Sequence, residues 1–219
     1  MNMIEVIATN IEDCLLLNKY KHIGRIEFCS HMDKGGFTPD FELVKACLEF
    51  LDIPLRVMIR NQESYEINTQ ELNLMCEQIN QFSSLKIDAF VIGCNQNAKI
   101  NEIALQKITQ TAFPIKTIYH RAFDYLEDPI SSLEILKKYG VSGVLSSGRR
   151  GNVDESSIES LQRYTQSGLE IVIGGGITRN NFLQFNKSSS IHLGSDLRFE
   201  SDFKQALDPD RIKTLATLV

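Results

Sequence analysis

The sequence predicts a (β/α)8 TIM-type barrel in a single domain, residues 1–219, and three observations carry that expectation. Short apolar runs alternate with longer amphipathic segments from end to end, which is the signature of βα units and a mostly parallel sheet. Eight such runs can be counted. No Gly/Ser linker or block of like charge divides them, and 219 residues lies near the short end of the about 200 to over 400 usual for this fold.

The first run, Ile4–Ala8, is apolar except at Glu5. Arg25–Ser30 follows the turn Ile23-Gly24, and Leu55–Arg60 is introduced by Ile53-Pro54. Ala89–Gly93 comes after Lys86-Ile87-Asp88. Ile115–Ala122 is introduced by Phe113-Pro114, an echo of the third run. Gly143–Ser147 follows a glycine-containing turn at 139–142, and Glu170–Gly174 and Ser190–Gly194 complete the eight. The segments between them carry helical patterns, as in Glu42–Phe50 and in Ile130–Tyr139, which opens at Asp128-Pro129 as a capped helix would. A doubly wound open sheet is the rival, but it rarely needs eight strands, and no GxGxxG follows the first.

With 28 acidic against 23 basic residues the net charge is −5, which disfavours nucleic acid or an anionic membrane as partner. A metal ion or a small anionic molecule is the expected partner. The opening MNMIEVIATNIEDC lacks the basic-then-apolar order of a signal peptide, and no apolar run approaches the roughly 20 residues of a spanning helix. Five widely spaced cysteines without a CxxC pair suit reduced thiols in a cytoplasm. Cys14, Cys47 and Cys76 sit in helix-like segments as small hydrophobes, whereas Cys29 and Cys94 lie near strand ends.

In such a barrel the ligand site is built at the C-terminal ends of the strands. Charged residues within strands should point into the lumen, because the outer faces pack on helices. Glu5, Glu27, Arg60 and His120 or Arg121 therefore converge, either as a buried ion-pair lattice or as a site. His120 is the expected general acid or base, and Asp124 either orients it or caps the next helix. A second feature is Gly174-Gly175-Gly176 after strand seven, followed by His192 and Ser195 around strand eight, where barrels often hold phosphate on backbone N–H groups. Ser146 and Ser147 add hydroxyls after strand six. Cys29 and His31, with Met32 and Met58 nearby, offer soft donors for Cu(I), although one thiol alone makes no site.

These landmarks occur in order along almost the whole chain: Ile4-Glu5-Val6, Arg25-Ile26-Glu27-Phe28-Cys29-Ser30, Gly35-Gly36-Phe37-Thr38-Pro39, Val57-Met58-Ile59-Arg60, His120-Arg121-Ala122-Phe123-Asp124, Leu145-Ser146-Ser147-Gly148 and Gly174-Gly175-Gly176. In them the chain resembles the CutC copper homeostasis proteins. The resemblance implies a cytoplasmic barrel, a homodimer or higher homo-oligomer, associated with copper. It also implies a cysteine after Glu-Val on strand one, where this chain has Ile7. Two functions follow as expectations. One is copper homeostasis through Cu(I) held at Cys29 with His31 or a methionine. The other is an isomerase or lyase acting on a small anionic or phosphorylated metabolite, with Gly174–Gly176 and Ser195 holding the anion, Arg60 and Arg121 neutralising charge, and His120 with Glu27 moving protons. A barrel serving only as a binding scaffold is the third alternative.

Overall fold

Eight parallel strands close into one barrel in the computed structural model, which describes residues 3–185 and 190–218. Met1, Asn2, 186–189 and Val219 of the expected domain lie outside the described residues. The strands are β1 Ile4–Ala8, β2 Arg25–Phe28, β3 Leu55–Met58, β4 Ala89–Ile92, β5 Lys116–Tyr119, β6 Gly143–Ser146, β7 Glu170–Ile173 and β8 Ser190–Leu193. Each pairs with its neighbours in sequence, and β8 closes on β1.

A helix follows every strand: α1 Ile11–Leu17, α2 Phe41–Leu48, α3 Thr69–Phe82, α4 Glu102–Ala112, α5 Pro129–Lys138, α6 Ser157–Thr165, α7 Phe182–Phe185 and α8 Pro209–Leu215. Asx caps start several of them. Asn10, Asp40, Asn68, Asn101 and Asp128 each accept the backbone N–H three residues on, so the helix begins at a defined point beyond the strand end. No helix among the described residues is long and apolar enough to cross a membrane.

Alternation sorts the strand residues into two populations. Val6, Phe28, Val57 and Phe90 face outward into the main core beneath the helices. Ile7, Cys29, Met58, Ala89, Val91 and Ile118 form a separate, smaller cluster in the lumen. Strand starts agree with the sequence to within one residue, but several ends come earlier. The fifth run was expected to continue to Ala122, yet β5 stops at Tyr119. His120 Nδ1 accepts the Ala122 N–H at 3.1 Å, and that side-chain cap turns the chain into the 3₁₀ helix Arg121–Tyr125. Tyr119 anchors the turn by donating to Asn95 Oδ1 at 2.6 Å and accepting the Cys94 N–H at 2.9 Å.

Candidate functional site

Register places Glu5 of β1 opposite His192 of β8 on one side and Arg25 of β2 on the other. The base of the lumen is consequently ionic. Glu5 accepts from Arg25 Nε and from Arg56 Nη1 at 3.3 Å, and Glu170 takes the other arms of both arginines at 2.8 and 2.7 Å. Asp88 adds a contact to Arg56 Nε at 3.1 Å. Glu5 thus does join a buried ion-pair lattice, but its partners are Arg25, Arg56 and Glu170, and Arg60 lies outside it. Burial would raise the Glu5 pKa, but the hydrogen bond from His192 and the charges of Arg25, His192 and Arg56 hold it well below the usual carboxylate range.

His192 joins this base to the cavity above. Its Nδ1 is 2.7 Å from Glu5 Oε1 and 3.7 Å from Glu27 Oε2. Burial opposes charge on the ring, but Glu27 and Glu5 outweigh it and raise the His192 pKa. Glu27 has the contrary balance: burial and the nearby Glu5 raise its carboxyl above the usual range, against the pull of His192. The buried Cys29 thiol is pushed up by burial and by Glu27, stays protonated, and donates to Glu27 Oε1 at 3.2 Å. Glu5, Glu27 and His192 offer donor atoms within 4.8 Å of one another, a spacing a cation could use. Both Glu5 oxygens are already engaged, one by His192 and one by the two arginines, so the trio is tied into the lattice below.

Above it opens a cavity of about 360 Å³, walled by Ile7, Met58, Leu145 and Phe203 and bearing Glu27, Arg60, His120 and Arg121. The loop Gly35–Pro39 explains how Arg60 is held. Its Nη1 donates to the carbonyls of Lys34 at 3.1 Å and Gly36 at 3.0 Å, its Nη2 to Glu63 O at 2.6 Å, and its backbone N–H to Thr38 Oγ1 at 2.9 Å. The guanidinium also stacks on Phe37 and Tyr65, with centroids 5.3 and 4.9 Å away. His120, only 4% exposed, lies against Gly93, where a Cβ would sit 2.1 Å from its Cε1. Burial and the Arg60 charge push its pKa down to about 3. The ring is therefore neutral. With Nδ1 accepting from Ala122, the proton resides on Nε2, so His120 faces the cavity as a hydrogen-bond donor and is a poor base.

Asp124 neither orients His120 nor caps a helix. Its carboxylate receives Arg121 Nε at 3.0 Å, the Ser146 hydroxyl, and the Ser147 N–H and hydroxyl at 3.2 and 2.9 Å. Ser146 and Ser147 are fully buried in that knot and do not line the cavity. Gly175, Gly176 and Ser195 do line it, while Gly174 lies behind, leaving room for the His192 ring. Gly175 has φ +87°, and its missing side chain admits the Arg121 guanidinium, whose carbon lies 2.5 Å from the position a Cβ would take. Asp196 also faces this corner and binds Arg179 at 2.9 Å. His31 is exposed, bonds Ser30 Oγ at 2.9 Å, and lies outside the cavity that Cys29 lines. The reading of the residues missed Arg25, Arg56, Glu170 and Tyr65. Counting back by two from Glu27 and Met58 would have found the arginines, but nothing in the sequence marks Tyr65.

A sequence profile of the CutC family matches residues 2–195. The chain belongs to the CutC family. A CutC family protein of Pasteurella multocida is 32% identical over 192 residues, covering 86% of this chain and 78% of that protein. The crystal structure of a CutC from Streptococcus agalactiae, named for copper homeostasis, superposes with TM-score 0.81 at 28% identity, over 89% of this chain and 98% of that one. A tryptophan synthase α-subunit from Pyrococcus furiosus, at TM-score 0.70 and 13% identity over 99% of this chain and 98% of the other, shares the fold alone. Ile7, at the position where the resemblance implies a cysteine, lines the cavity and packs in the cluster of Cys29 and Met58.

Proposed function

We propose that this CutC-family protein serves copper homeostasis from the cytoplasm as a homo-oligomer, and that its cavity is a proton-transfer site for a small anionic metabolite. The name of the Streptococcus agalactiae CutC supports copper homeostasis, and the cytoplasm and the homo-oligomer follow from the family resemblance alone. The proton-transfer site rests above all on one observation: Glu27, raised above the usual carboxylate range, faces the same cavity as a neutral His120 that can only donate. Glu27 as carboxylate takes a proton from a carbon beside a carbonyl. The C–H electron pair becomes the new C=C bond, and the carbonyl pair moves onto oxygen, where His120 Nε2–H stabilises it. Where that carbon carries a hydroxyl, the hydroxyl proton passes to the former carbonyl oxygen and Glu27 returns the abstracted proton to the former carbonyl carbon, which completes an isomerisation. His192, between Glu27 and Glu5, holds Glu27 in place and balances its charge.

The test is isotopic. The protein is incubated with a small-molecule extract of its own cells in D₂O, and metabolites are followed by mass spectrometry. At least one anion is expected to gain deuterium with the native protein and not with Glu27→Gln. No labelling above the protein-free control would refute the proton-transfer reading.

A second reading, Cu(I) held by sulfur, is favoured by one further observation. Met32 Sδ and Cys29 Sγ both approach the side-chain position of Gly36, at 3.4 and 3.6 Å. His31 adds nothing to it. In competition with a Cu(I) chelator, Cys29→Ser is expected to bind more weakly than the parent on this reading, and equal affinity would eliminate it.

A further inference from the structure

Four arginines are buried in the described residues: Arg25, Arg56, Arg60 and Arg198. Three of them have carboxylates within 4.0 Å, namely Glu5 and Glu170 for Arg25 and Arg56, and Asp13 for Arg198. Arg60 has none. Its neighbours are carbonyl oxygens and two aromatic faces, and Glu63 and Glu71 act on it only at longer range. Its Nε–H is buried without a partner, as is that of Arg198, and one Nη2 hydrogen is uncommitted. A buried cation without a counter-ion is costly, as is a buried donor left unsatisfied. The loop Gly35–Pro39 nevertheless holds this one rigidly at the wall of a cavity.

We infer that the ligand itself supplies the missing counter-ion: a small monocarboxylate such as a 2-oxo or hydroxy acid, seated against Arg60 with His120 Nε2–H donating to an adjacent oxygen. A planar carboxylate suits the guanidinium, whose parallel N–H groups it accepts in pairs. The corner beside Gly175 and Gly176 is less suited to the phosphate that its glycines suggest. Arg121 there is already neutralised by Asp124, and Asp196 adds a second carboxylate, paired with Arg179. One uncompensated positive charge at the Arg60 end calls for one negative charge. The apolar walls of Ile7, Met58 and Leu145 suit a short carbon chain beyond it.

This inference rests on the reading of the cavity as a ligand site. It is tested by titrating the full chain, labelled with ¹⁵N-histidine, separately with pyruvate, lactate, glycerate and inorganic phosphate. Saturable displacement of the His120 Nε2–H resonance by at least one carboxylate is expected, with phosphate inert. Arg60→Gln should weaken that binding by about tenfold or more. Arg60→Lys, which keeps the charge and loses the fork, should weaken it by a smaller factor and decides the matter if the glutamine variant does not fold. Binding of phosphate alone, binding of no carboxylate, or carboxylate affinity unchanged in the Arg60 variants would each overturn the inference. A protein that still labels a metabolite in D₂O while failing this titration keeps its proton-transfer function and loses only the substrate class.

Discussion

At the base of the lumen Arg25 and Arg56 share Glu5 and Glu170, whereas at the mouth Arg60 has only carbonyl oxygens and His120 only a backbone N–H. The arginines of both ends are buried, so the difference between them is not one of solvent access. It lies in whether the protein supplies the partner charge. A lattice closed on itself holds strands in register, because any slip separates its ions. An open set of charges adds nothing to that task and costs stability, which is the mark of a place kept for something else. His192 belongs to both, bonded to Glu5 below and facing Glu27 above.

The largest expected effect is at the base. Glu5→Gln leaves two buried arginines with one carboxylate fewer and should lower the unfolding free energy by roughly 3–5 kcal/mol in urea titrations, the loss typical of a broken buried pair. A change below about 1 kcal/mol would mean that the lattice is not what holds this end. Because the folded-state pKa of Glu5 is depressed from 4.5, its contribution is fully present above that value and is lost as pH falls through the lower, folded value. The same variant should therefore show a shallower loss of stability on acidification than the parent.

Next in size is the seat of His120. Gly93→Ala would place a methyl group 2.1 Å from the ring carbon, so the imidazole must move. Overpacking of this kind costs about 1–3 kcal/mol, and the His120 Nε2–H resonance should shift or vanish. An unchanged resonance would show that the ring is not fixed by that contact. The smallest effect is a null one. His120, held at about 3, should show no titration of its ring nitrogens between about pH 8 and pH 5, while a free histidine turns over near 6.5. A midpoint near 6 would restore it as a general base. The sign also bears on stability: a histidine kept neutral in the fold favours unfolding as pH drops below 6.5 and the unfolded chain takes up the proton.

Much of this was legible in the amino-acid order. The eight apolar runs locate the eight strands, since outward-facing residues such as Val6, Phe28 and Val57 must be apolar to meet the helices. Glu27, Arg60 and His120 stand out as charges at strand ends, and all three line the cavity. What the order could not show is partnership. Asp124 lies four residues after His120 and looks like its orienting acid, yet it pairs with Arg121 and with Ser146 and Ser147, brought from β6 by the closure of the sheet. Arg25 is the first residue of β2 and Arg56 the second of β3, where a charge ordinarily reads as a solvated edge. Their role depends on Glu170, which is 145 positions from Arg25. The protonation state of His120 depends on its burial and on Arg60, two residues beyond β3, and no local pattern announces either.

The comparison between base and mouth is decided most directly at Glu27, the one carboxylate that both regions touch. Its folded-state pKa is raised by burial, so stability is lost as pH climbs from 4.5 toward the folded value and Glu27 must ionise without an arginine beside it. At neutral pH, Glu27→Gln should therefore raise the unfolding free energy. Measured in one urea series, Glu27→Gln more stable than the parent and Glu5→Gln less stable is the expected result. A Glu27→Gln protein destabilised like Glu5→Gln would place Glu27 in the lattice and contradict the account.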